Sequence, residues 1–209
     1  MATPGTLILH DLSRAVPAPP GGLGLAVWHL AGRLALWLGG WKVAGSWPAD
    51  AKMVVTAAPH TSNWDGIWML AAAGAWRVRL RYMGKKSLTQ GPFGWLVRWT
   101  GCIPIDRSQS NDVVTAMRAA FAQADSLFLV VPPEGTRAAV DKWKSGFYHI
   151  AVGAGVPISF AVMDYATKTV RMPATLWPSG DYAADLAIIQ GFYADAVGKN
   201  AADFVMTGK

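Results

Sequence analysis

The sequence predicts an α/β fold: a single domain with a central mixed, largely parallel sheet flanked by helices, plus an N-terminal amphipathic Trp-rich helix. Three observations carry that expectation. Short apolar runs such as Leu127 to Val131 alternate with longer stretches of helical period, a pattern that folds as strands connected by helices. Pro, Gly and polar residues follow several of these runs directly, so polar tips gather where strands end. With 209 residues, 52% of them hydrophobic, and no internal repeat, the chain can bury one sizeable core.

Taken in order, residues 1 to 22 read as an extended Pro and Gly arm. Leu23 to Trp41 read as a helix, in which Val27, Leu30, Leu34, Trp37, Leu38 and Trp41 recur as one apolar stripe while His29 and Arg33 lie on another side. Such a helix reaches about 28 Å, close to a membrane crossing. Arg33 near the middle would cost ~2.5 to 3.5 kcal/mol on insertion scales, and four glycines weaken the helix further. An interfacial helix with tryptophans at headgroup depth fits better, and a helix packed on the protein's own core fits as well. The first apolar run, Leu7 to Leu9, is too short for a secretory signal, and prolines between Pro17 and Pro20 interrupt the chain beyond it. Residues 1–45 are thus expected to form an arm and a membrane-associating helix, and residues 46–209 the main domain.

Within that domain a strand is expected at Met53 to Ala57 and a helix at Trp64 to Ala75. Arg77 to Tyr82 alternate strictly, which predicts a strand with three arginines on one face. That face is either solvated or turned to an acidic carrier protein or lipid phosphates. A helix at Gly94 to Trp99, a strand at Ile103 to Ile105 and a helix at Asp112 to Gln123, capped by Ser110 or Asn111, come next. The strand Leu127 to Val131, a helix at Phe147 to Ala154, a hairpin of Pro157 to Met163 with Thr169 to Met172, and a helix at Tyr182 to Val197 complete the layout.

Chemistry concentrates at three of the strand ends. His60 stands five residues before Asp65, so a turn there lets the carboxylate orient one imidazole nitrogen and leave the other free as a general base. Such a base can deprotonate a hydroxyl that the substrate supplies, and the protein needs no serine nucleophile. The same pair also fits an aspartate that merely begins a helix. A second turn, Pro133-Glu134-Gly135-Thr136-Arg137, carries an acid, a hydroxyl and a guanidinium whose planar fork suits phosphate. Between them, Gly101-Cys102-Ile103-Pro104-Ile105-Asp106-Arg107 ends another short strand in an acid and an arginine.

These residues resemble the glycerophospholipid acyltransferase family, typified by 1-acylglycerol-3-phosphate (lysophosphatidate) acyltransferase. Its four ordered blocks have counterparts in His60 with Asp65, Gly101 to Arg107, Pro133 to Arg137, and Val156-Pro157-Ile158. Met83 to Leu88 and Gly91 to Trp95 also look like the family's segment between the first two blocks. The likeness covers roughly Val54 to Phe160. Pro59 before the histidine, Val131-Pro132 before the Glu134 block and Ser159 after Ile158 depart from the family's usual flanks.

The resemblance implies that residues 46–209 are an acyltransferase domain, with His60 the base and Asp65 its orienting partner. Arg107, Thr136 and Arg137 are implied as holders of the acceptor's phosphate, beside Gly135 in the same turn. Glu134 would fix a hydroxyl or an arginine, and Lys85 is a further substrate-binding candidate. It implies an O-acyltransferase that moves a fatty acyl group from acyl carrier protein or coenzyme A to the hydroxyl of a lysophospholipid such as lysophosphatidate. A lyso-aminolipid acceptor, such as lyso-ornithine lipid, and a non-catalytic lipid-binding protein of the membrane surface are the other readings; a thioesterase is a third.

Composition agrees with anionic partners. The net charge is +6, which favours phospholipid headgroups, coenzyme A or an acidic carrier protein. Nucleic acid is not expected as a partner, because zinc-finger spacing, an RNA-recognition signature and long Lys/Arg runs are all missing from the sequence. No cofactor and no metal are expected either: phosphate-loop, dinucleotide and metal-ligand spacings are absent, as is a Gly-x-Ser-x-Gly elbow. The expected location is the cytoplasmic face of a bacterial inner membrane, with peripheral attachment.

Overall fold

The computed structural model describes residues 3–12, 22–105 and 110–204, with side chains of 110–112 left aside. In chain order the elements are β1 (Leu7–Leu9), α1 (Leu23–Gly39), β2 (Lys42–Ala44), β3 (Lys52–Ala58), α2 (Asn63–Ala75), β4 (Leu80–Lys85), α3 (Gly94–Trp99), β5 (Cys102–Ile105), α4 (Ser110–Gln123), β6 (Leu127–Val131), α5 (Gly146–Ala154), β7 (Ile158–Asp164), β8 (Thr169–Arg171), β9 (Ala174–Leu176) and α6 (Tyr182–Gly191). The strands join one sheet in the order β1-β9-β7-β3-β6-β4-β5, and β8 links β7 to β2.

Neighbouring strands β5, β4, β6, β3 and β7 are parallel, so their carboxyl ends share one edge. The antiparallel pairs involve β7 with β8 and β9, and β9 with β1. The sheet is therefore mixed and largely parallel, as expected.

β3 lies at the centre and is buried on both faces, which explains its nearly continuous apolar sequence. Met53, Val55 and Ala57 face a core with Trp41, Met69 and Trp76, on the side of α1 and α2. Val54 and Ala58 face the opposite core, where Phe121, Phe147, Ile150 and Tyr193 pack. This two-residue alternation sandwiches the sheet between helical layers.

Several expectations change in detail. The alternating stretch from Arg77 to Tyr82 is not one strand: β4 begins at Leu80, and Arg77 has φ 57 in the turn that ends α2. The amide of Val78 donates to Ala73 O and that of Arg77 to Gly74 O, a helix stop that takes precedence over the alternation. The last helix stops at Gly191 instead of running to Val197, with Phe192 and Tyr193 placed in the turns beyond it. Three short strands were not foreseen, because three residues carry too little periodicity: β1, β2 and β9. The arm thus contributes β1 to the sheet, and His10 is tied by Nδ1 to Met172 O at 2.9 Å.

α1 packs on α2, yet the apolar stripe read from its periodicity faces outward except for Trp41, which lies beyond the helix and is buried. Gly32 and Leu36 are its buried residues, whereas Val27, Leu30, Leu34, Trp37 and Leu38 are exposed, Trp37 by 75%. The approach is through glycine: a Cβ on Gly32 would lie 2.5 Å from Ala71 O and 2.9 Å from Gly74 Cα. Among the described residues no helix is long and apolar enough to cross a membrane.

Candidate active site

β3 delivers His60 to the carboxyl edge of the sheet, two residues beyond its last residue, Ala58. Immediately afterwards α2 begins, and its first turn solves two problems with one carboxylate. Asp65 Oδ2 accepts the amides of Thr61 and Ser62, both at 2.7 Å, while Ser62 Oγ accepts from Trp64 N at 3.1 Å. These bonds satisfy helix-start donors that would otherwise lack partners, and they hold the acid beside the histidine. His60 Nδ1 lies 3.3 Å from Asp65 Oδ2. Asp65 is fully buried and the His60 side chain is 22% exposed, so the base meets solvent while its partner does not. Nε2 of His60 has no hydrogen-bond partner among the described residues.

Asp65 accepts two further donors on its other oxygen: Ser62 Oγ at 2.9 Å and the Tyr165 hydroxyl at 2.6 Å. Burial alone would push the Asp65 carboxyl up, but the bonds from His60, Tyr165 and Ser62 outweigh it and hold the group below the usual aspartate value. Conversely, burial and the bond to Asp65 push the Tyr165 hydroxyl well above the usual phenol range. Tyr165 stands a hundred residues from Asp65 and reaches it because β7, which ends one residue earlier, pairs in parallel with β3. Nothing in the local sequence marks it; only the strand pairing does.

Glu134 has an unforeseen place. Its Oε1 accepts the main-chain N–H of His60 at 2.8 Å, which ties the second turn to the first, since β6 is the direct neighbour of β3. Oε2 is buried and has no partner among the described residues. Burial pushes this carboxyl above the ordinary glutamate value, and the His60 contact only partly offsets it.

Gly135, Thr136, Arg137 and Lys85 sit along the same edge, and none of them bonds to the histidine. Gly135 takes φ 68, and Thr136 and Arg137 are exposed in the turn after β6. Thr136 Oγ1 accepts from Ala138 N at 3.4 Å. Lys85 ends β4, two strands from β3, opposite Ile105 of β5. Arg107 lies outside the described residues. Among the described residues no three His, Cys, Asp or Glu side chains gather where they could hold a metal ion.

The fourth block of the resemblance lies away from the histidine. Val156-Pro157-Ile158 lies at the amino end of β7, where Pro157 O accepts from Val54 N, at the far end of β3 from His60. Trp143 is buried, with its ring edge-on to Tyr193 at 5.3 Å.

Fold and site together define an α/β protein with a carboxylate-oriented histidine at the carboxyl edge of its sheet. The family model described as Acyltransferase matches residues 42–163. The chain belongs to this family, the glycerophospholipid acyltransferases. It is 36% identical over 140 residues to the 1-acyl-sn-glycerol-3-phosphate acyltransferase of Salmonella typhimurium, covering 62% of this chain and 55% of that protein. The enzyme of the same name from Haemophilus influenzae is 29% identical over 170 residues, 74% of this chain and 69% of the relative. The chain thus spans about half the length of the first of these relatives. In fold it is similar to the crystal structure of the 1-acyl-sn-glycerophosphate (LPA) acyltransferase PlsC from Thermotoga maritima, with TM-score 0.53 and 20% identity over 80% of this chain and 77% of that one.

Proposed function

We propose that this protein transfers a fatty acyl group from an acyl thioester, carried by acyl carrier protein or coenzyme A, to the hydroxyl of a lysophospholipid, with lysophosphatidate the leading acceptor. One observation carries the base assignment: His60 Nδ1 faces a fully buried carboxylate while Nε2 has no hydrogen-bond partner among the described residues. The carboxylate fixes the tautomer with the proton on Nδ1 and stabilises the imidazolium that forms.

In this reading His60 Nε2 takes the acceptor's hydroxyl proton as that oxygen attacks the thioester carbonyl carbon. The tetrahedral adduct then expels the thiolate by breaking its C–S bond, and the imidazolium returns the proton to sulfur. The products are an ester and a free thiol. A base so placed contributes ~10² to 10⁴-fold, with the remainder from positioning and charge stabilisation. Arg137, Lys85 and Arg107 are the cations proposed to hold the acceptor's phosphate. Glu134 keeps the His60 main chain in place, and its Oε2, without a partner among the described residues, is suited to the acceptor's polar head.

The acceptor's acyl chain requires a membrane surface, and the outward face of α1 offers one. Leu23, Leu30, Trp37 and Leu38 are all more than half exposed along a helix whose C-terminal end adjoins the second turn of α2, where Gly39 approaches Trp68. We propose that the protein lies peripherally on the cytoplasmic face of the inner membrane, a reading that the exposed apolar face of α1 supports as far as membrane contact goes. The deciding experiment measures thiol release from an acyl-thioester donor with and without a panel of lysolipids, beside His60→Ala. Release that requires one lysolipid and His60 supports the transferase and names its acceptor. Equal release without lysolipid would replace it by a thioesterase, and lipid binding with no release would favour a non-catalytic protein.

A further inference from the structure

The opposite edge of the sheet carries a polar concavity. It encloses about 480 Å³ and is lined by Leu25 and Trp28 of α1, the entry to β4, Trp99 at the end of α3 and the entry to β6. Its charged residues are Arg77, Arg79 and Arg81, and no acidic side chain lines it. The ion pairs among the described residues are His60–Asp65 and Arg171–Asp195, so none of the three arginines has a carboxylate partner there.

Arg79 is held by aromatic rings instead of a counter-ion. Its guanidinium lies 5.3 Å from the Trp99 ring centre and 6.0 Å from that of Trp28, and the two indoles meet edge to face at 5.4 Å. Trp28 is itself fixed by donating Nε1–H to Val78 O at 3.2 Å. The guanidinium sits over the rings, and its N–H donors have no protein acceptor among the described residues.

Arg77 supplies a second, independent sign. It occupies the left-handed residue of the α2 stop, φ 57, with the Val78 and Arg77 amides returning to Ala73 O and Gly74 O. Glycine adopts that conformation freely and a long side chain does not, so the fold alone does not call for arginine. The surface beside the groove is apolar: Leu23 and Val27 of α1 and Trp95 and Leu96 of α3 are exposed.

We propose that this groove binds the phosphodiester of an anionic phospholipid that is not the substrate. The guanidinium groups take the phosphate while the acyl chains pass over the apolar rim, a combination that a free anion or an acidic protein surface does not use. Because the groove lies at the N-terminal end of α1 and His60 at the sheet edge near its other end, a headgroup bound here fixes the helix along the membrane and turns the catalytic edge toward it. The inference rests on the membrane contact proposed for α1 and not on acyl transfer.

The test is flotation of the intact chain with vesicles of phosphatidylcholine alone and of phosphatidylcholine with phosphatidylglycerol at physiological salt. The wild-type chain is expected to bind both, and the anionic vesicles more tightly. Arg79→Lys, which keeps the charge but loses the planar fork, and Arg77→Gly, which relaxes the backbone, are each expected to lower partition onto anionic vesicles by roughly fivefold. Neither should change binding to phosphatidylcholine, and Arg77→Gly should melt no earlier than wild type. Wild-type binding equal on both vesicles would overturn this proposal and leave the membrane contact standing; binding to neither would overturn both. Retention of anionic preference in Arg79→Lys would mean diffuse charge and no built site. Inorganic phosphate binding as tightly as dihexanoyl phosphatidylglycerol would assign the groove to a free anion. Loss of acyl carrier protein binding in Arg79→Lys with vesicle partition unchanged would assign it to a protein partner.

Discussion

At the scale of single residues, the candidate site depends on how many donors one carboxylate accepts. Asp65 takes the amides of Thr61 and Ser62, two hydroxyls and the histidine, so it remains ionised while fully buried. His60→Ala should lower acyl transfer by ~10² to 10⁴-fold in steady-state turnover, and Asp65→Asn by a comparable amount. Tyr165→Phe removes one hydrogen bond to a charged group, an interaction of about 1.5–3 kcal/mol, and should lower kcat by roughly tenfold with KM little changed. Equal loss in KM would instead make Tyr165 a substrate contact. The two carboxyls also predict opposite pH effects. Asp65, held below its ordinary value, adds stability above that value and loses it as pH falls through its folded-state pKa. Glu134, raised above its ordinary value, favours the folded state at low pH, and this contribution is lost as pH rises toward its folded-state pKa. Melting curves of Glu134→Gln against wild type should therefore diverge with rising pH in favour of the variant. A constant difference across pH would show that Glu134 is not shifted.

At the scale of elements, the long-range contacts that position the site come from parallel strands ending together. β3 brings His60, its neighbour β6 brings Glu134, and its other neighbour β7 brings Tyr165. The His60–Asp65 pair was legible because both partners share one turn, and the Glu134 turn because Pro and Gly mark it. Their joining through the His60 N–H was not legible, since it depends on strand order. The arginine alternation misled for a related reason: residues that repeat every second position only form a strand if the preceding helix has ended, and α2 ends through Arg77. The α1–α2 contact makes its own prediction. Gly32→Ala sets a methyl 2.5 Å from Ala71 O, where backbone cannot move aside cheaply, and should destabilise the chain by about 1–3 kcal/mol in denaturant unfolding. Gly66→Ala, with open space at its Cβ, should not destabilise it.

At the scale of the whole molecule, one side of the protein is unusually apolar. The outward face of α1 and the exposed Phe93, Trp95 and Trp99 near α3 leave large hydrophobic side chains in water. Trp37→Ser should leave the melting temperature nearly unchanged, because that indole is 75% exposed, yet weaken vesicle binding roughly tenfold through lost apolar contact. Unchanged sedimentation with vesicles would remove α1 from the membrane contact. The same helix links the two ends of the molecule, with Trp28 beside the arginine groove and Gly39 beside Trp68 near the start of α2.

By itself the sequence determined what local order can encode: the apolar central strands, the helical periods, the turn after β6 and a histidine with its acid five residues on. It also placed a helix at α1. Which face of α1 packs was decided only by tertiary structure, because Gly32 lets α2 approach more closely than any larger side chain and leaves the longer apolar residues outside. Tertiary structure likewise decided that Glu134 and Tyr165 serve His60 and Asp65, since those partners lie 74 and 100 residues apart and meet only when β6 and β7 pair beside β3.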